Sequence, residues 1–114
     1  MLKGRNFFKK QKLTEKDQFE RVFAEKQKKT TKHFLAYFCK NKFDYPRLGI
    51  GVSKKNVKLA TKRNFLKRII RETFRLNQKN LDSLDLLVFV KRNAETASKE
   101  ELKEGIKKQI ESFL

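Results

Sequence analysis

From Leu13 onward the apolar positions recur along the whole chain, and their spacing alternates between a helical and an extended period. Phe19, Val22 and Phe23 are helically spaced behind Thr14 and Asp17, which resemble a capping box, and Glu15 and Asp17 suit the positive end of a helix dipole. The pattern predicts a first helix over Glu15–Glu25. After the polar run Lys26–Lys29, the aromatic-rich segment His33–Cys39 reads as a strand, with Phe34, Ala36 and Phe38 on one face and His33, Leu35, Tyr37 and Cys39 on the other. Asn41–Pro46 then reads as a hairpin connection to an antiparallel partner strand, Arg47–Ser53.

Leu48, Ile50 and Val52 share one face of that strand, while Gly49 and Gly51 leave the other without bulk. Glycines at alternating strand positions suggest a close approach, by a packing helix or by a nucleic-acid strand. A long helix is predicted over Leu59–Asn77, followed by the apolar run Leu86–Lys91, which has the composition of a buried central strand. Strand, helix and strand in succession imply a parallel pair. Ser98 with Glu101 forms a second capping box, and Leu102, Ile106, Ile110 and Phe113 mark a terminal amphipathic helix. The order α-β-β-α-β-α predicts an α+β fold, a small mixed sheet packed with helices.

The 114 residues suffice for one domain, expected over 13–114, with 1–12 as a flexible basic arm. A formal net charge of +17 changes the picture more than length does, because self-repulsion on that scale calls for a polyanionic partner. No stretch approaches the roughly 20 apolar residues of a membrane span, so no membrane partner is expected. The single cysteine, Cys39, excludes an internal disulfide and a thiolate metal cluster, and points to a reducing compartment.

The charge is concentrated in Ser53–Arg75, where nine basic residues face the single acid Glu72. At about 100° per residue, Leu66, Ile69, Ile70 and Leu76 fall on one arc of the helix and Asn64, Lys67, Arg68, Arg71 and Arg75 on the other. A solvated face ordinarily mixes signs at i, i+4, whereas Lys67, Arg71 and Arg75 repeat one sign, which fits a face occupied by phosphates. Phe19, Phe23 and Tyr37 suit either base stacking or a core; periodicity leaves both open. His33 is the only histidine, of a kind usually found at a surface or interface, and no Ser or Cys has a base placed to activate it. The acids are scattered, which argues against a protein-borne metal site or an autonomous nuclease.

KRNFLKRIIR, preceded by GVSKK and a short spacer, closely resembles the bacterial ribonuclease P protein subunit, in which an SVSKK-like strand end leads into a helix bearing R-N-R-x-x-K-R-x-x-R. Arg63, Asn64, Lys67, Arg68 and Arg71 stand in matching places, and Phe65 stands where that family commonly has the second arginine. The wheel puts Phe65 at the margin of the apolar arc, so its replacement of arginine is expected to remove only a peripheral contact.

The resemblance implies a ribonucleoprotein endonuclease of the cytoplasm that removes the 5′ leader of precursor tRNA. In it the RNA subunit performs the hydrolysis with Mg²⁺ bound mainly by the RNA, and the protein supplies no catalytic residue. It further implies one protein per RNA, a left-handed crossover between the parallel strands, as in a domain of a small-subunit ribosomal protein, and two surfaces. Arg63, Asn64, Lys67, Arg68, Arg71 and Arg75 would meet the catalytic RNA; Phe19, Phe23, Leu35 and Tyr37, with Lys54 and Lys55 beside them, would form a cleft for the leader, kept shallow by Gly49 and Gly51. The alternative on charge and fold alone is a structural RNA-binding module such as a small ribosomal protein.

Overall fold

A computed structural model describes residues 11–114. LDLLVFV, apolar at every position but one, forms β4 (Leu84–Val90) at the centre of a four-stranded sheet. β2 (Phe34–Lys40) lies antiparallel to it on one side and β3 (Arg47–Gly51) parallel on the other. The short β1 (Lys28–Thr30) pairs antiparallel with the outer edge of β2 and completes the order β1-β2-β4-β3.

Two expectations change here. β2 and β3 are not hairpin partners, because β4 lies between them. A strand of Leu, Val and Phe exposes its least apolar surface when it is paired on both edges and covered on both faces, and only the inner position achieves that. The run Lys26–Lys29 is not simply a connection either, since Lys28 and Lys29 enter β1. Lysine-rich edge strands avoid further pairing and carry no hydrophobic alternation to reveal them.

Three α-helices complete the described residues: α1 (Lys16–Ala24), α2 (Ala60–Asn77) and α3 (Lys99–Glu111). One sheet face, with Phe34, Ala36, Leu48, Leu84, Leu86, Val88 and Val90, packs against Leu66, Ile69, Ile70 and Phe74 of α2 and Leu102, Ile106 and Ile110 of α3. Each large aliphatic side chain fully buried there contributes roughly 1.5–3 kcal/mol. The other face carries a smaller cluster of Val22 from α1 with Leu13, Cys39 and Leu87.

Local details depart from the wheel. Phe65 is buried in the main core, while Leu76 is 71% exposed. The two residues project in nearly the same direction, about 16 Å apart along α2. α3 covers the first, bringing Lys99 and Lys103 over its ring, and leaves the second uncovered. Phe65 therefore belongs to the core. α1 is capped from Glu15 and not from Thr14 and Asp17: Gln18 Oε1 accepts from the Thr14 and Glu15 N–H groups, both at 3.0 Å.

Of the basic arm expected over 1–12, residues 1–10 lie outside the described residues; Gln11 is buried and donates to Gln78 Oε1 at 2.8 Å, and Leu13 N–H donates to Leu48 O, also at 2.8 Å.

The Ser98–Glu101 box forms as the sequence predicts, with the Glu101 N–H donating to Ser98 Oγ at 3.1 Å. Ser98→Ala is expected to cost about 1 kcal/mol in urea unfolding, since it orphans a first-turn donor. The Ser98 backbone N–H, ahead of other causes, holds the Glu101 carboxyl below its ordinary range. That contribution is present above the unfolded-chain glutamate pKa and fades as pH falls through the lower folded value.

Candidate nucleic-acid interface

Because Leu66, Ile69 and Ile70 hold α2 to the sheet, its opposite side is presented outward. Asn64, Arg68 and Arg71 are exposed there, and Lys67 and Arg75 half-exposed. Among the described residues none of these cations forms an ion pair, not even with Glu72. Lys67 and Arg71 overhang the outer edge of β3 and share a groove with Lys12, Leu13, Thr14 and Leu48–Ile50. Arg63 differs from its neighbours: its Nη1 donates to Val57 O at 2.8 Å and Lys58 O at 2.7 Å, fastening the loop that enters α2. The sign repetition along α2 is thus a solvent-facing array of cations, of which the two at its start are committed to the fold, Arg63 and also Lys62, whose Nζ donates to Glu95 O at 2.6 Å and Ala97 O at 2.9 Å.

The opposite sheet face carries the aromatic groups. Register places Leu35 opposite Phe89 and Tyr37 opposite Leu87 on β4. α1 adds Phe23, which is 39% exposed, with its ring 4.8 Å from Tyr37 and 5.8 Å from Phe89 between centroids. Phe19 is half-buried against the same cluster. Lys54 and Lys55 are exposed on the turn between Ser53 and Asn56, two residues that line a depression walled by Phe89. Phe19, Phe23, Leu35 and Tyr37 are therefore brought together, and the two lysines stand at the rim of the adjoining depression.

Phe89 was hidden within an apolar strand. The signal that exposes it is pairing: once β2 and β4 are antiparallel in this register, the alternation that aligns Leu35 and Tyr37 selects Leu87 and Phe89. The glycines act differently from the expectation as well. A Cβ at Gly49 would stand 2.6 Å from Leu87 Cδ2 and 3.0 Å from Leu13 Cβ, and one at Gly51 would collide with the Phe89 ring. Their open space is filled by side chains of β4 and by the Leu13 segment, not by a packing helix or a nucleic-acid strand, so Gly51 seats one of the aromatic walls.

What sets α1 against this face is a buried charge network with no counterpart in the expectations. Asp85 is wholly buried and accepts from Arg47 twice, Nε to Oδ1 at 2.8 Å and Nη2 to Oδ2 at 2.7 Å. Asn41 Nδ2 adds a bond to Oδ1 at 2.9 Å, and Arg21 from α1 pairs with Oδ2. Burial, and then the nearby Arg21 charge, push the Arg47 pKa down. Burial raises the Cys39 thiol, toward whose sulfur Arg21 Nη1 points. His33, of a kind expected at a surface or interface, is 5% exposed, and its carbonyl accepts from the Lys91 N–H.

Among the described residues no three His, Cys, Asp or Glu side chains are placed to hold a metal ion, and Asp85 is already saturated by cations and an amide. The protein groups described do not fit a Mg²⁺ cage. Nor is any described helix long and apolar enough to cross a membrane.

This geometry has counterparts in known proteins. The family model described as Ribonuclease P matches residues 7–113. The ribonuclease P protein component of Pseudoalteromonas translucida is 39% identical over 90% of this chain and 74% of its own length. That of Buchnera aphidicola is 45% identical over 76% of each. The Staphylococcus aureus RNase P protein superposes with a TM-score of 0.82 at 27% identity, covering 90% of this chain and 94% of that one. A general ribosomal-type binding module does not account for a match of this extent, and the chain belongs to the ribonuclease P protein component family, as a subunit of the tRNA-processing ribonucleoprotein that works beside the enzyme's RNA.

Proposed function

We infer that this subunit grips two RNA segments on two surfaces. The outward side of α2, through Asn64, Lys67, Arg68, Arg71 and Arg75, meets the backbone of the catalytic RNA, with Arg63 shaping the approach. The Phe19, Phe23, Leu35 and Tyr37 cleft, widened by Phe89 and flanked by Lys54 and Lys55, receives the single-stranded 5′ leader of precursor tRNA. The RNA subunit then hydrolyses the phosphodiester with Mg²⁺ that it binds itself, in a cytoplasmic complex of one protein and one RNA.

The observation that carries this reading is the separation of an unpaired cationic helix face from a half-exposed aromatic cluster on the other side of the sheet. Phosphate contacts supply affinity without demanding sequence, and aromatic stacking suits unpaired bases. Reconstitution with ribonuclease P RNA and precursor tRNA at low Mg²⁺ tests it. Leader removal should rise with the protein present, and Arg68→Ala should weaken assembly with a salt slope smaller by about 1. Protein that leaves leader removal unchanged would sink the reading.

A further inference from the structure

Most of the charges of α3 are sorted. At about 100° per residue, Lys99, Lys103 and Lys107 occupy one arc, and Glu100, Glu101, Glu104 and Glu111 the adjoining one, where Lys108 is the single cation among them. The acids lie on the side away from α2: Glu100, Glu101 and Glu104 line a cavity with Thr31, Lys32 and His33, and Glu101 pairs with Lys32 at 3.8 Å. The lysines turn toward α2. Lys99 Nζ is 5.2 Å and Lys103 Nζ 6.0 Å from the centroid of the Phe65 ring, and the Arg68 guanidinium is 5.6 Å from the same centroid.

Three cations thus gather over one ring at the α2–α3 seam, and among the described residues none of them forms an ion pair. Attraction to an aromatic face at an exposed position is weak for each cation, and a single ring is shared by all three. Glu100, Glu101 and Glu104 on the same turns of the helix could have neutralised the group, yet they line the cavity on the other side. A concentration of like charge that the fold leaves unpaired suits a multivalent anion crossing the seam.

We propose that Lys99 and Lys103 of α3, with Arg68 as the shared member, extend the phosphate-binding surface of α2 across the α2–α3 seam, so that the catalytic RNA backbone runs over both helices. The proposal rests on the α2 assignment above. Phe65 is the floor of that extension, holding three side chains side by side over one buried ring. The glutamate flank, turned to the cavity with Thr31, Lys32 and His33, lies outside that surface.

The test is a salt titration of holoenzyme assembly, with a ribonuclease P RNA transcript as the probe. Lys99→Gln/Lys103→Gln should lower the slope of log K against log [salt] by about 1.4–1.8, as loss of two phosphate contacts requires, and weaken assembly about 10–30-fold near 0.15 M salt. Lys99→Arg/Lys103→Arg should restore both. Glu100→Gln/Glu104→Gln raises net charge by the same two units on the flank facing away, and should leave the slope unchanged.

A Lys99→Gln/Lys103→Gln slope equal to the parent's, or a glutamate pair that strengthens assembly as much as the lysine pair weakens it, would overturn the proposal. Lys67→Gln/Arg71→Gln separates the two levels. If that variant loses affinity while the α3 pair does not, only the extension falls; if neither loses affinity, the α2 assignment falls with it. A thermal midpoint in sulfate within a few degrees of the parent's verifies that each variant folds.

Discussion

Asp85→Ala is expected to cost about 3–5 kcal/mol of folding stability, the largest effect of any single substitution considered for this chain. The carboxylate is fully buried in the central strand and Arg47 is 8% exposed, so removing the anion leaves a guanidinium desolvated and without a counter-ion. Arg21 behaves differently. Its side chain is 44% exposed and recovers water, so its own pairing with Asp85 is worth little by comparison. Asn41 loses an acceptor that fixes the β2–β3 connection, where its amide also donates to Tyr45 O at 3.2 Å.

Urea unfolding in sulfate measures the loss, and the double variant Arg47→Met/Asp85→Leu should recover most of it, because an apolar pair of similar volume escapes the desolvation cost. A loss under about 1 kcal/mol for Asp85→Ala would mean that water reaches Arg47 and would contradict the burial argument. Function should suffer in step with stability. Arg21 ties α1 to the sheet through the same carboxylate, and α1 is the element that carries Phe19 and Phe23 to the cleft.

The elements legible from the chain are those whose signal is local. α2 and β4 fall within a few residues of their expected bounds, and α3 starts at its expected capping box, because each has a sustained apolar pattern. β1 escaped since Lys28–Thr30 has no apolar alternation to read. The β2–β3 hairpin was a local inference about a connection that β4, more than thirty residues downstream of it, decides.

The candidate surfaces divide in the same way. Lys67, Arg71 and Arg75 could be found from repetition along one helix. Phe89 and the Asp85–Arg47–Arg21 network depend on register between segments far apart in the chain. An aspartate inside LDLLVFV is itself the clue, since a buried strand carries an acid only where cations are brought to it. The sequence offers many arginines but does not say that Arg21 and Arg47 are the two. Phe65 shows a further limit: a position at the edge of an apolar arc is core or surface according to whether another helix happens to cover it.

Tyr37→Ala should weaken binding of precursor tRNA to the holoenzyme by about 1–3 kcal/mol, or about 5- to 150-fold, while leaving leaderless tRNA unaffected. The ring meets Phe23 edge-on at 4.8 Å and Phe89 at 6.0 Å, so its removal both deletes a stacking surface and frees its neighbours. Gly51→Ala provides a second approach that deletes no aromatic group. A methyl there collides with the Phe89 ring, which must turn away from the sheet, at a packing cost of about 1–3 kcal/mol. If the rings act as a platform for unpaired bases, both variants lose affinity selectively for substrates with a leader, although one removes a ring and the other only displaces one. If Tyr37 serves packing alone, Tyr37→Ala impairs leader-bearing and leaderless substrates equally, and the cleft assignment fails. A platform has a geometric requirement that burial does not: moving Phe89 without deleting it should reduce leader binding even where unfolding shows the core intact.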